Sequence, residues 1–351
     1  MQQTLDSYPG IVPGGMEILI IGGGGDTGSR LAQHLTSADG KLAITSRQSA
    51  DELATQFPAG TTLLSLDPVG DPAGFEAGLL KYLQRRRTEV GAPPRLLVYN
   101  LLGAWLRDAH RVIREGHRVV LETLLAAQPR SLRYVACSAT TIYGNRPFEA
   151  LTEDSAPAPD TVIGRLLVDT EADIAAARDR FHAQGIPMDT LVLRVPHVYG
   201  PGRERSFELM CRGEFFIAGD GMNPMQHLHV EDFVQALVLG ADPGRVRHGV
   251  VNLVEDRAEP YRYYCDYITE VMGIARLPCY MLEEARDSGI ASRLLGPHFD
   301  NPAILAEFYR YMSCQATIAN HKMRGQLGVR LRYPNFRDGL AQMLGQIRQA
   351  A

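Results

Sequence analysis

The sequence predicts an α/β chain built on a doubly wound, parallel sheet, with a smaller C-terminal lobe interwoven with it. Three observations carry that expectation. Short, nearly continuous apolar runs recur through roughly the first 200 residues, as strands buried on both faces require. Helical stretches with apolar residues three and four apart lie between them. The first apolar run, Met16–Ile21, leads directly into a glycine-rich turn that opens a helix.

The elements follow in order. After Met16–Ile21, apolar runs at Leu42–Thr45, Thr62–Leu66, Leu96–Leu101, Tyr134–Cys137, Leu191–Leu193 and Val250–Leu253 complete seven strands. Val112–Ala127 and Val162–Ala183 read as long amphipathic helices. Strands alternating with helices imply right-handed crossovers and ligands at the carboxyl ends of the strands. After about residue 200 the alternation fades, until a last helix at Phe336–Arg348. No clean linker appears. The expected division is a first domain over 16–200 and a substrate lobe over 201–351, with Val230–Leu253 returning to the first domain. Residues 1–15 read as a loose tail rich in Gly and Pro.

Composition excludes several classes. With 36 basic and 40 acidic residues the net charge is −4, so no basic excess points to nucleic acid. No apolar run approaches the roughly 20 residues that span a bilayer. Five cysteines with no CxxC spacing fit reduced thiols and a cytoplasmic home. The first ten residues lack the basic and apolar regions of a signal peptide.

The glycine turn carries the first chemistry. Gly22, Gly25 and Gly28 give the spacing G-x-x-G-x-x-G between a strand and a helix. That arrangement allows a tight turn, a close backbone approach to a pyrophosphate, and a helix N-terminus facing the phosphates. A Rossmann-type dinucleotide site is therefore expected. Asp26 and Thr27, expected with Gly22, Gly25 and Gly28 to bind the cofactor, stand where an apolar pair is usual; Asp26 reads as a helix cap, although a carboxylate beside a pyrophosphate is repulsive. The second strand ends Ile44-Thr45-Ser46-Arg47. An NAD site usually places an Asp or Glu here for the ribose 2′-hydroxyl. Ser46 and Arg47 suit a 2′-phosphate instead, so NADP(H) is favoured over NAD(H). Asp67 is a candidate partner for the adenine amino group, and Leu102 and Pro196 complete the expected cofactor contacts.

Further segments resemble the extended short-chain dehydrogenase/reductases, the NAD-dependent epimerase/dehydratase group. Arg133 to Gly144 is similar to that family's fifth strand and its S-S-S-x-x-V-Y-G segment. Leu193-Arg194-Val195-Pro196-His197-Val198-Tyr199-Gly200-Pro201-Gly202-Arg203 resembles L-R-x-x-N-V-Y-G-P-G-R. Gly219-Asp220-Gly221 with His229-Val230-Glu231-Asp232, then Gln326-Leu327-Gly328 with Tyr333 and Gly339-Leu340, resemble its later segments. The resemblance implies a homodimer paired through the two long helices.

The family's catalytic trio has no counterpart. Alignment places Ala139 at the Ser, Ile163 at the Tyr and Leu167 at the Lys. Only three lysines occur, Lys41, Lys81 and Lys322, and none lies four residues after a Tyr. Proton transfer by a placed side chain is typically worth about 10²–10⁴ in rate, so the usual Tyr/Lys mechanism is not expected. His197, at the family's Asn, is the first candidate for a replacement acid/base. Ser138 and Thr140 flank the lost Ser and could bind a carbonyl oxygen; Tyr143 is a weaker candidate. His227 and His229 share a face if their segment is a strand, but no third metal ligand is in view.

Three readings stay open. One is an NADP(H)-binding oxidoreductase acting on a lipophilic small molecule in a biosynthetic pathway, with a relocated acid/base. Another is a non-redox isomerase, cyclase or lyase on the same fold. The third is a catalytically inactive, nucleotide-sensing regulator. An apolar pocket left by Ala139, Ile163 and Leu167 favours an apolar substrate over a nucleotide sugar, whose hydroxyls would lack partners.

Overall fold

The computed structural model describes residues 14–35, 41–103, 108–147, 149–203, 205–290, 293 and 302–350. Of the expected tail, residues 1–13 lie outside the described residues.

Seven parallel strands form the central sheet: β1 (Met16–Ile21), β2 (Lys41–Ser46), β3 (Thr62–Ser65), β4 (Arg95–Asn100), β5 (Ser131–Ala139), β6 (Met188–Val195) and, nearer the C-terminus, Gly249–Asn252. The last strand lies outside β6, and the order from it runs β6, β5, β4, β1, β2, β3. The order reverses at β1, where its register pairs Ile18 with both Leu42 and Leu97. Reversal opens a crevice at the carboxyl ends of β1 and β4.

Both sheet faces are dry because alternate side chains feed two cores. Ile18, Ile20, Tyr99, Val135 and Leu191 pack on one side with Leu31 of α1 (Asp26–His34). Leu19, Ile21, Val98 and Tyr134 face the other side. There they meet Phe75 and Leu79 of α2 (Pro72–Val90), Val120 and Leu124 of α3 (His117–Ala126), and Ile174 and Phe181 of α4 (Val162–Ala183). A π-helical turn, His110–Gly116, precedes α3, so the expected helix starts two residues earlier and is not α-helical throughout. Thr161 caps α4 by accepting the Gly164 N–H at 3.0 Å.

Beyond residue 196 the chain leaves the sheet and comes back to it. A short parallel pair, β7 (His197–Tyr199) and β8 (His227–His229), lies at its upper edge. The helix α5 (Val230–Gly240) follows and packs into the first core through Phe233, Val234 and Leu237. The sheet's outer strand, β9 (Gly249–Asn252), comes next. Arg133 clamps this return: its buried guanidinium donates to the carbonyls of Gly240, Val246 and Arg247 at 2.8–2.9 Å. A separate core holds the rest of the C-terminal lobe, where α6 (Tyr261–Met272), α7 (Pro302–Met312) and α8 (Phe336–Ala350) meet. No helix among the described residues is long and apolar enough to cross a membrane.

Candidate active site

The glycine turn is shaped by close approach. Gly22 sits at φ +72°, a conformation that favours glycine. A Cβ on Gly28 would lie 2.2 Å from the Gly23 carbonyl oxygen, so only glycine lets α1 pack this close to the turn. Gly25 differs: a Cβ there would meet nothing within 4 Å. It opens α1 with no side chain capping the helix, which leaves backbone N–H groups to an anion.

Gly25 borders a cleft of about 650 Å³ over the carboxyl ends of the strands. Gly22, Ser46, Arg47, Asp67 and Leu102 line it. Gln48, Val69, Gly70, Asp108 and Arg111 also line it, and no local motif marked them. The Ser46 hydroxyl accepts the Gln48 N–H at 3.1 Å and keeps its own proton to donate. Arg47 is exposed at the same strand end. Asp67 accepts the Val69 N–H at 2.9 Å and so holds the turn beside it. An open glycine cradle and an uncapped helix start fit the phosphates of a dinucleotide.

Asp26 and Thr27 depart from the expected role. Their side chains tie the glycine turn to the loop after β7. Asp26 takes Arg30 Nε at 2.7 Å and lies 3.3 Å from Arg203 Nε. Arg203 donates to the Thr27 hydroxyl at 2.6 Å, and Arg30 to the Pro201 carbonyl at 2.7 Å. Two guanidinium groups therefore offset the carboxylate, which removes the anticipated repulsion. Any contribution of Asp26 and Thr27 to phosphate binding comes from their backbone.

Ala139, Ile163 and Leu167, assigned to the missing trio from sequence, converge. They share one hydrophobic cluster with Ile113, Leu166, Val254 and Ile318. Val254 and Ile318 also line a smaller pocket of about 60 Å³, with Thr140, Thr141, Pro196, His197, Gln226, Tyr311 and Cys314. Pro196 thus faces this pocket and not the nucleotide cleft.

His197 reaches the pocket from β7, and its Nδ1 is buried without a hydrogen-bond partner. Burial first, then His227 and Arg203, push its imidazole down to about 3. A ring held neutral does not arrive at a substrate already protonated, so the simple acid/base role expected from sequence does not follow from its surroundings. Thr140 lines the pocket as expected. Ser138 does not: its hydroxyl is buried and unpartnered within the sheet, at the register of Arg194. Tyr143 is a correction. Its hydroxyl takes Arg194 Nη1 at 2.8 Å and lies 2.8 Å from Asn252 Oδ1 and 2.9 Å from the Thr152 carbonyl. Burial raises its pKa further, so this phenol is a structural anchor.

Other family-like segments prove structural. His229 Nδ1 accepts the Glu231 N–H and caps α5. Asp232 accepts the backbone N–H groups of Arg332 and Tyr333 at 2.8 and 3.0 Å, which pins the closing segment to that helix. On α6, Tyr261 and Tyr264 are buried and pack into the lobe's core, while Tyr263 is exposed.

The model of the NAD dependent epimerase/dehydratase family matches residues 18–253. Among solved structures, the chain is similar to MoeE5 in complex with UDP-glucuronic acid and NAD, at 20% identity, over 95% of this chain and 100% of that one, with a TM-score of 0.69. It is similar to UDP-glucuronic acid 4-epimerase from Bacillus cereus, in complex with UDP-glucuronic acid and NAD, at 18% identity, over 96% and 100%, with a TM-score of 0.69. It is also similar to a functionally unknown conserved protein from Silicibacter pomeroyi DSS, at 22% identity, over 94% and 99%, with a TM-score of 0.65. A comparison with curated proteins finds no significant match. At these identities the likeness is one of fold. The family match over most of the chain, the reversal at β1 and the glycine cradle agree: this chain belongs to the NAD dependent epimerase/dehydratase family.

Proposed function

We propose that this protein is an NADP(H)-dependent oxidoreductase acting on a small, largely apolar carbonyl or hydroxyl compound, without the Tyr/Lys pair. The observation that carries the reading is the cleft of about 650 Å³ in which Ser46 and Arg47 stand at the second strand end. A bound nicotinamide nucleotide supplies or accepts hydride there. The chain's own residues bind and orient it: Gly22 and Gly25 admit the pyrophosphate, Ser46 and Arg47 grip the 2′-phosphate, and Asp67 and Leu102 flank the adenine side. MoeE5 and the Bacillus cereus epimerase are each in complex with UDP-glucuronic acid and NAD. A pocket of about 60 Å³ is far below the roughly 300–1,000 Å³ usual for ligand sites, and Val254, Ala316 and Ile318 make much of its wall apolar. Both features favour a compact, apolar substrate over a nucleotide sugar, and a biosynthetic or modifying role. The free thiols fit a cytoplasmic setting. The same reading takes the chain as a homodimer paired through α3 and α4.

Titration calorimetry tests the nucleotide assignment. A charge-assisted hydrogen bond contributes roughly 1.5–3 kcal/mol. Arg47→Ala should therefore weaken NADPH about ten- to a hundredfold and NADH little. Equal losses for both nucleotides would remove Arg47 from the site, and no binding of either would end the proposal.

A further inference from the structure

A row of buried titratable groups leads away from the small pocket and is not used by the reading above. β7 and β8 pair in parallel with His197 opposite His227. Glu255, just beyond β9, lies behind His227: its Oε1 accepts the His227 N–H at 2.8 Å and sits 3.3 Å from His227 Nδ1. Both residues are 1% exposed. The rings of His197 and His227 meet edge to face, with centroids 5.5 Å apart at 83°. His197 Nδ1, His227 Nε2 and Glu255 Oε2 are all buried without a hydrogen-bond partner. Leaving one such atom unpaired costs about 1–3 kcal/mol, so three in one row call for a use beyond packing.

We propose that Glu255, His227 and His197 form a proton relay that carries one proton from a buried carboxyl group to the pocket lined by His197. This rests on the reading of that pocket as the substrate site and adds the source of its proton. Glu255 gives its proton to His227 Nδ1. His227 passes its Nε2 proton to His197 Nδ1, directly or through one water. His197 releases its Nε2 proton to the substrate oxygen; a bound nicotinamide nucleotide would supply the hydride that the carbonyl carbon takes. Three bonds to hydrogen break and three form along the row. Glu255 ends as a carboxylate, and both imidazoles end neutral with their tautomers exchanged; solvent then reloads the carboxyl group.

The surroundings suit a relay whose rings never carry net charge. Burial pushes the Glu255 carboxyl up to about 8 against the hydrogen bond it accepts from the His227 N–H, and Glu259 and Asp256 add to the rise against Arg337. Burial holds the His227 ring down to about 3. The groups facing His227 are aromatic: Tyr264 stacks on it at 4.2 Å, Tyr261 lies parallel at 6.4 Å, and Tyr199 and Phe336 meet it edge-on. Among the described residues, His227 and Arg203 add to burial in lowering the His197 pKa.

The test has two readouts on the full chain. Carbon-13 and nitrogen-15 NMR of Glu- and His-labelled protein should show Glu255 titrating near pH 8, with the His227 ring shifting at the same pH. Glu255→Gln should abolish that His227 transition. NADPH oxidation with a panel of small apolar aldehydes and ketones is then followed against pH. Wild-type kcat should fall as pH rises through about 8. Glu255→Gln and His227→Phe should each lower kcat about a hundredfold, lose that limb, and leave KM and the NADPH dissociation constant unchanged. Glu255→Asp should restore the limb in part, and melting curves confirm that each variant folds. A Glu255 that titrates in the ordinary carboxylate range, or Glu255→Gln with a wild-type pH profile, overturns the relay and leaves the nucleotide and substrate readings intact. A coupled titration with no turnover of any carbonyl overturns the substrate reading, and the relay falls with it.

Discussion

Single side chains carry the proposal that the usual Tyr/Lys chemistry does not operate here. Ala139, Ile163 and Leu167 are not surface losses; they join one hydrophobic cluster with Ile113, Val254 and Ile318. Restoring the lost groups should therefore harm the protein. In Ile163→Tyr with Leu167→Lys, the ammonium would enter an apolar wall, and Glu171, one turn along α4, is already held by Arg194. We expect a stability loss of about 3–5 kcal/mol, the cost of an uncompensated buried charge, measured by chemical denaturation. A double variant as stable as the parent would show that the wall is wetter than the packing indicates. Glu255 gives a second residue-scale expectation. Its folded pKa is raised, so the stability it contributes is fully present below the ordinary carboxylate range and is lost as pH rises through about 8. Denaturation midpoints of the wild type should fall over that window relative to Glu255→Gln; parallel curves would mean that Glu255 is ionised throughout.

Elements place these side chains through caps and crossings more than through propensity. Helix α4 delivers Ile163 and Leu167 to the wall because Thr161 caps its start. Thr161→Ala should lower stability by about 1 kcal/mol, and a larger loss would indicate that the cap also holds the pocket. The crossing of the glycine turn and the loop after β7 depends on Arg203 with Asp26 and Thr27. Asp26→Ala would leave Arg203 half-buried without its carboxylate. Protease susceptibility of the loop around Pro201 should rise in that variant and fall again when NADPH is added. Unchanged cleavage would show that the backbone alone holds the loop.

At the scale of the whole molecule, the open question is assembly. The outward face of α3, the π-helical turn before it and α4 carries ion pairs within the chain: Arg114 with Asp169 at 2.6 Å, Arg118 with Asp173 at 3.5 Å, and Arg180 with Glu122. A homodimer paired through this face would have a polar interface, and its affinity should change with salt. Sedimentation at micromolar concentration should show a dimer at low ionic strength; a clean monomer there would remove pairing through this face.

Much of this architecture was legible in the chain itself. Strands buried on both faces must read as apolar runs, and a backbone that approaches a phosphate must be glycine, so Met16–Ile21, the Gly22–Gly28 turn and the order of alternation follow from local constraints. Ser46 and Arg47 were visible because a strand end projects its side chains into the crevice. The absence of Tyr and Lys was equally visible, since it depends on residue identity alone. The return of the chain through α5 and β9 was anticipated only in outline, because no local signal records which partner a helix packs on.

Tertiary structure decided what the remaining polar groups do. Tyr143 and Asp26 look like site residues in sequence, yet Arg194 and Arg203, which arrive from distant segments, engage them. His227 and Glu255, separated by 28 positions, carry no motif; they meet because β8 pairs with β7 and the chain beyond β9 passes behind it. The physical reason is range. Backbone geometry and burial act on neighbours in the chain, so they leave a pattern in sequence. Desolvation and pairing of charges act on whatever the fold brings within a few ångströms, and only the folded chain specifies that.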